Sequence, residues 1–438
     1  MTPPTPGLAE HAKSATSDDG IAENVACPFC GILCDDLVVA RSAEGLTVSK
    51  NGCDKAKAGF ERRLPAASPE IGGKPVTLAE AVTEAVGLIR KAKLPLYGGL
   101  ATDVEGMRAA MALADRTGGV VDHALSEGQY RNFRVLQSTG WVMTTLTEVR
   151  NRADLIVIVG TDVHKLHPRF FERMVCNAES MFEATAGKRT IVFIGAGLDQ
   201  SAAVGARVGD VVTLPCPLER VGEVVAALRA RLKGVAIPVA SVADVPMAAI
   251  DDLVARVRKA SYGVMVWAPP GLNFPNADLT VQTICDTVRE LTVTQRFAGL
   301  SLGGNDGAVT AGAVSSWQSG YPLRVSFASG KPDYDATRYA IPRMLAAGEG
   351  DLLVWTSTFT PELGVPKTGL PTIVLGTPGL AMAQPASVYI PVGTPGVDHA
   401  GRLVRCDNVV SLPLRNLKRS ALPSAATVLG SIEAALQV

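Results

Sequence analysis

Glu148-Val-Arg-Asn-Arg-Ala-Asp-Leu-Ile-Val-Ile-Val-Gly160 decides the fold class. From Leu155 to Val159 every side chain is aliphatic, and the run closes on a glycine. A strand with one wet face alternates polar and apolar residues, so an unbroken apolar run reads as a strand covered on both faces. Comparable runs, each bounded by turn residues, occur at 95–97, 190–194, 211–214, 263–267, 293–295, 352–355, 372–375 and 388–390. Helical periodicity recurs between them, over 104–116, 218–232, 244–260, 278–291 and 424–437. The clearest helix spans 77–93. Thr77 and Glu80 form a capping box there, and Leu78, Ala81, Val82, Ala85, Leu88 and Ile89 return at helical spacing. This alternation predicts an α/β protein with parallel sheets. Ligands in such sheets sit beyond the carboxyl ends of the strands, which singles out 160–162, 195–197, 268–271, 356–358 and 376–379.

The chain has 438 residues, too many for one small domain, and 47% of them are apolar against 19% charged. Wholesale disorder is excluded by that balance. Lys and Arg number 42, as do Asp and Glu, so the surface lacks the cationic excess that nucleic acid needs. Neutrality also gives little colloidal repulsion, which fits a subunit that buries surface against others. No apolar run reaches the roughly 20 residues that span a bilayer. The opening stretch has neither the charged region nor the apolar core of a signal peptide, and residues 1–22 read as a disordered arm.

Half of the eight cysteines fall within 27 residues: Cys27-Pro-Phe-Cys30-Gly-Ile-Leu-Cys34-Asp-Asp, then Cys53. Cys176, Cys216, Cys285 and Cys406 stand singly and read as buried small hydrophobes. This is the pattern of one ligand cluster in a reducing cytoplasm, not of a disulfide framework. The spacing C-x2-C-x3-C-x18-C can surround one soft metal centre, either a [4Fe–4S] cluster or tetrahedral zinc. The x2-x3 tripod with a distant fourth ligand favours iron–sulfur; four unligated core thiols are the remaining reading. Gly31 is expected to let the backbone turn inside the ligand loop.

CPFCGILCDD with a distant cysteine resembles the opening of the B subunit of formylmethanofuran dehydrogenase, a member of the molybdopterin oxidoreductase superfamily. Thr117-Gly-Gly-Val-Val-Asp-His123 is similar to that family's GGVID segment, and Glu148–Gly160 with His164 and His167-Pro168-Arg169 to its EVKNRAD…HPR block. Trp317-Gln-Ser-Gly-Tyr-Pro322 resembles its WxxGYP motif, and Gly393–Gly401 with Arg405 its C-terminal segment. The resemblance runs through nearly all of residues 23–418. It implies formate-dehydrogenase-like lobes: a small N-terminal lobe at 23–65 that carries the four clustered cysteines, a core of two lobes at 66–320, and a C-terminal part at 321–438 that completes the core.

Two departures bear on activity. Redox members grip molybdenum or tungsten with pterin dithiolenes and a Cys or Sec at the start of the helix after the Tyr-Gly strand end; the matching residue here is Val104, which has no lone pair. The family's GCNP and DPR segments, which hold the cofactor's nucleotide tail, are matched by Gly160-Thr-Asp-Val163 and Gly195-Ala-Gly197. Both losses argue against bound molybdopterin. The resemblance is greatest to the family's non-redox relative, the B subunit of the bacterial formyltransferase/hydrolase complex of methanopterin- and methanofuran-linked one-carbon metabolism. Formyltransferase and amidohydrolase-type partner subunits carry its chemistry. The expectation is therefore a structural subunit with no catalytic residue of its own, and Cys27, Cys30, Cys34 and Cys53 as its metal site. An active Mo/W-pterin dehydrogenase subunit is the alternative.

Other conspicuous residues carry less. His123 reads as a satisfied loop histidine. His167 and Arg169 either face a ligand or respectively cap a loop and pair with a carboxylate. Glu105 and Glu148 show no partner for acid–base work. Gly303-Gly-Asn-Asp-Gly307 lacks a P-loop lysine and reads as a plain loop. Trp317 is expected to be a packing anchor, at a subunit interface or in the core.

Overall fold

A computed structural model describes residues 20–177, 180–181 and 188–437. The expected disordered arm therefore lies outside the described residues up to position 19. Its last three residues do not: a strand begins at Gly20 and runs to Val25. Gly20, Ile21 and Ala22 pair with Arg41, Ala40 and Val39. No described helix is long and apolar enough to cross a membrane.

Two sheets organise the chain. The middle of the sequence builds a five-stranded parallel sheet in the order Val208–Leu214, Arg189–Ile194, Leu155–Val159, Gly263–Trp267, Phe297–Ser301. Leu155–Val159 sits at its centre. Ile156 and Ile158 face one apolar cluster, while Leu155, Val157 and Val159 face another. Both sides of the pleat are thus dry, as the unbroken run requires. Burying each such side chain contributes about 1.5–3 kcal/mol before conformational entropy is subtracted.

The second sheet has nine strands, five of them parallel in the order Val120–Val121, Pro95–Ala101, Leu352–Ser357, Thr372–Gly376, Val388–Pro391. Short antiparallel pairs close both edges. This sheet joins strands from before and after the five-stranded one, so the C-terminal part is woven into a sheet begun by residues 70–121. Helices Leu78–Lys91, Val104–Thr117 and Ala425–Leu436 pack on one face. The capping box at Thr77 and Glu80 forms as expected.

One expected strand is wrong. Residues 293–295 lie in the turn after helix Ala277–Leu291, with Val293 exposed, and the strand is Phe297–Ser301. Gly299 interrupts its apolar run because Trp267 lies where a side chain would go; a Cβ at 299 would come within 2.9 Å of that indole. Helices Ser126–Thr139 and Ala308–Ser319 were not expected either. The first is largely polar, and the second is rich in Ala, Ser and Gly, so neither shows a clear apolar stripe.

Candidate functional site

The cysteine lobe is a three-stranded antiparallel sheet, Gly20–Val25, Leu37–Ser42 and Gly45–Lys50, followed by helix Asp54–Phe60. Cys27, Cys30 and Cys34 lie on the loop between the first two strands. That loop closes through Cys27 N–H to the Cys34 carbonyl at 2.8 Å and Leu33 N–H to the Cys30 carbonyl at 3.1 Å. Leu33 adopts a left-handed φ of 50° to make the turn. Cys53 is the N-cap residue of the helix. The lobe has no core of its own: Cys27, Cys30, Cys34, Val39 and Phe60 share one apolar cluster with Ile156, Ile158, Val264 and Val266 of the five-stranded sheet.

Cys27, Cys30 and Cys34 are buried, Cys53 half-buried, and all four are free thiols. They are close enough to sense one another. Burial, and then the neighbouring Cys30, push the Cys27 thiol well up, with smaller contributions from Cys34 and Cys53. The Cys30 thiol is pushed up to about 12 by burial and then by Cys34. Backbone N–H groups of Phe29 and Ile32 bond the Cys27 and Cys30 sulfurs and act in the opposite sense. Burial also raises Cys34, against the nearby Arg173 and Arg169. N–H···S bonds and adjacent guanidinium groups are what a thiolate ligand set needs, so the donor chemistry fits a soft metal centre. Among the described residues, however, no group of three or more His, Cys, Asp or Glu side chains stands ready to hold a metal ion.

Arg169 settles between its two readings. It makes a two-pronged bond to Asp36 at 2.7 and 2.8 Å and reaches Glu172 at 2.6 Å. Arg173 joins it, 3.0 Å from Asp35 and 3.3 Å from Asp36. Arg169 of the His-Pro-Arg loop and Arg173 of the following turn therefore clamp the two acids that follow Cys34. The loop histidine does something else: buried His167 lines a cavity of about 800 Å3 beyond the carboxyl ends of strands Gly263–Trp267 and Phe297–Ser301. Helices Ser126–Thr139 and Ala308–Ser319 supply a large part of the remaining wall.

Of the five strand-end segments singled out from the sequence, only 268–271 reaches this cavity, through Pro269 and Pro270. The others serve as pins; Thr161 Oγ1, for example, accepts the Ala268 N–H at 3.0 Å. The Gly303–Gly307 loop forms one wall and is more than a plain loop. Asn305 Oδ1 accepts the Gly31 N–H at 3.1 Å, and the Gly31 carbonyl accepts the Cys406 N–H at 2.9 Å, so the cavity wall rests on the cysteine loop. Gly31 itself is not at positive φ. Its role is close approach: a Cβ there would lie 1.7 Å from the Gly303 carbonyl oxygen. The one sequence signal for this wall was the Gly-Gly pair directly after a strand; the polar wall residue Gln129 had none.

His123 is satisfied, as expected. Its Nδ1 accepts the Leu125 N–H at 2.9 Å and its Nε2 donates to the Asp306 carbonyl at 3.1 Å. Burial holds it neutral, with its pKa lowered to about 4. Glu105 pairs with Arg108 and Glu148 with Arg152, both near the surface, so no catalytic carboxylate pair exists among these. Trp317 is not a packing anchor in this chain: it is 63% exposed, and four residues further along the chain Tyr321 stacks on Tyr334. Cys216, Cys285 and Cys406 are buried as expected, and Cys176 is half-buried. Val104 is the first residue of helix Val104–Thr117, buried in the apolar cluster behind it, while Asp103 caps the helix by accepting the Gly106 N–H at 3.0 Å.

No protein-family model matches the chain. Among curated proteins it is similar to the B subunit of the tungsten-containing formylmethanofuran dehydrogenase 2 of Methanocaldococcus jannaschii, 27% identical over 89% of this chain and 92% of that one. It is 28% identical to the B subunit of the formyltransferase/hydrolase complex Fhc of Methylorubrum extorquens, over 76% of this chain and 87% of the relative. The fold matches a chain in the X-ray structure of the FhcABCD complex from Methylorubrum extorquens with methylofuran. The TM-score is 0.71 at 26% identity, covering 84% of this chain and 99% of that one. The chain is a homologue of these B subunits. In this B-subunit homologue an aliphatic side chain, Val104, opens the helix after the Tyr-Gly strand end.

Proposed function

We propose that this chain is the non-redox B subunit of a formyltransferase/hydrolase complex, working in the cytoplasm on methanofuran-linked formyl transfer. Its two sheets are the lobes of a molybdopterin-oxidoreductase-like fold kept as a scaffold, on which formyltransferase and amidohydrolase-type subunits dock. The likeness to the Fhc B subunit and to a chain of the FhcABCD complex supports this reading. The single observation that carries it is Val104: the first residue of the helix is a hydrocarbon in an apolar cluster, and hydrocarbon cannot ligate tungsten or molybdenum. Trp317 with the Tyr321–Tyr334 pair offers an exposed aromatic surface suited to a partner.

Cys27, Cys30, Cys34 and Cys53 would hold a [4Fe–4S] cluster, or zinc in its place. A cluster supplies electron transfer when bound; zinc would only brace the loop. The chain's own part is the N–H donors of Phe29 and Ile32 and the Arg169–Arg173 clamp on Asp35 and Asp36.

Native mass spectrometry of the purified assembly, with elemental analysis, tests the proposal. The expected result is a hetero-oligomer carrying iron or zinc but neither tungsten nor molybdenum. Stoichiometric tungsten or molybdenum together with viologen-linked formate oxidation would establish the dehydrogenase alternative instead.

A further inference from the structure

The cavity of about 800 Å3 is of the size that small-molecule sites take. Three side chains in its wall carry buried polar atoms with no hydrogen-bond partner: both ring nitrogens of His167, Oε1 of Gln129 and Oδ1 of Asp306. Native proteins pair nearly all such atoms, so four in one wall call for an explanation. His167 is only 1% exposed, and burial, reinforced by the nearby Lys55, lowers its pKa to about 3, so the ring is neutral, with one acceptor and one donor. Each orphan atom sits on a rotatable side chain and can turn to a partner that enters. The rest of the wall is largely apolar, with Phe133, Leu136, Trp141 and Leu300 among its members.

Charge narrows the class of ligand. The described residues that line the cavity include Asp306 and Asp407 but no lysine or arginine. A phosphate- or carboxylate-bearing molecule would meet no basic side chain in the wall: Lys55 lies outside the lining, bonded to the Leu166 carbonyl at 2.9 Å, and Arg405 is already paired with Asp407 at 2.7 Å. We propose that this cavity binds an uncharged, largely apolar organic molecule whose N–H or O–H groups donate to Gln129 Oε1, Asp306 Oδ1 and a ring nitrogen of His167. The site is separate from the helix start at Val104, which does not line it; the Gly303–Gly307 loop lies between, and a Cβ on Gly307 would come within 2.5 Å of the Thr102 carbonyl oxygen. The inference goes beyond the scaffold role and does not depend on it.

Calorimetric titration of the full chain with three matched probes tests it: indole-2-carboxamide, which is neutral with several N–H donors; indole-2-carboxylate, its anion; and methyl 1-methylindole-2-carboxylate, which has no donor. The carboxamide is expected to bind at least about tenfold more tightly than either of the others. In Gln129→Leu the carboxamide should weaken about tenfold while the methyl ester is unchanged. Gly312→Leu, which grows into the cavity near Phe133 and Gln129, should abolish binding of both. Failure of the carboxamide to bind, or a carboxylate that binds equally well, would overturn the proposal. The wild-type series decides the matter even where a variant does not fold.

Discussion

Adding one methyl group at Gly31 tests whether the cysteine loop and the cavity wall are mechanically one unit. A Cβ at this position would lie 1.7 Å from the Gly303 carbonyl oxygen and 2.8 Å from its carbon, both backbone atoms that cannot rotate away. The two segments must separate, and forced overpacking of this kind costs about 1–3 kcal/mol. Separation also strains the bonds from Gly31 N–H to Asn305 and from Cys406 N–H to Gly31, each worth about 1 kcal/mol net. Gly31→Ala should therefore lower the free energy of opening this junction by about 3 kcal/mol, the lower part of that combined range. Cys406 reports on the junction directly, because it is buried against Gly31. At 1.4 kcal/mol per factor of ten, its alkylation by iodoacetamide, read peptide by peptide in a mass spectrometer, should accelerate about a hundredfold. Cys285, on the far side of the five-stranded sheet, should be unaffected. Gly87→Ala is the control: nothing lies within 4 Å of its Cβ position in helix Leu78–Lys91, so it should stabilise by about 0.5–1 kcal/mol. A Gly31→Ala protein whose Cys406 reacts at the wild-type rate would refute the coupling of loop and wall.

Arg169→Met should destabilise the chain by about 2 kcal/mol in urea titration, less than a fully buried pair would lose because Asp36 and Glu172 both reach solvent; alkylation of Cys34 should rise in parallel. Asp122 gives a pH signature. Burial, outweighing Arg324, Ser126 and the backbone donors of Ile341 and His123, raises its carboxyl from 3.8 to about 6. The unfolded chain then ionises first as pH rises from about 4 to about 6, so this group removes about 3 kcal/mol of stability across that window. In Asp122→Asn that fall should vanish from the stability–pH curve, although the variant is weaker at neutral pH for leaving Arg324 less well paired. Cys30→Ala should strip the iron or zinc proposed for the cysteine lobe, measured by elemental analysis of the purified assembly; a variant that keeps its full metal content would show that the metal lies elsewhere.

Local pattern was enough for the α/β class and for most strands and helices. An unbroken aliphatic run such as Leu155–Val159 can only be a strand with two dry faces, and the Thr77–Glu80 pair marks a helix start wherever it occurs. The valine at 104 is legible for the same reason, since its inability to ligate a metal is a property of the side chain alone. Elements whose stability comes from neighbours were hidden: Phe297–Ser301 keeps a glycine for Trp267 to pack on, and helices Ser126–Thr139 and Ala308–Ser319 lack a clear apolar stripe.

The cavity belongs wholly to tertiary structure. His167, Gln129 and Asp306 are far apart in sequence and meet only because the nine-stranded sheet takes strands from both sides of the five-stranded one and carries their flanking helices against it. Spacing showed that four cysteines could surround one metal. That three of them are buried, share an apolar cluster with the five-stranded sheet and are held by Arg169 and Arg173 through Asp35 and Asp36 depends on contacts more than a hundred residues apart. Burial and charge pairing are properties of surroundings, and the surroundings exist only once the chain has folded.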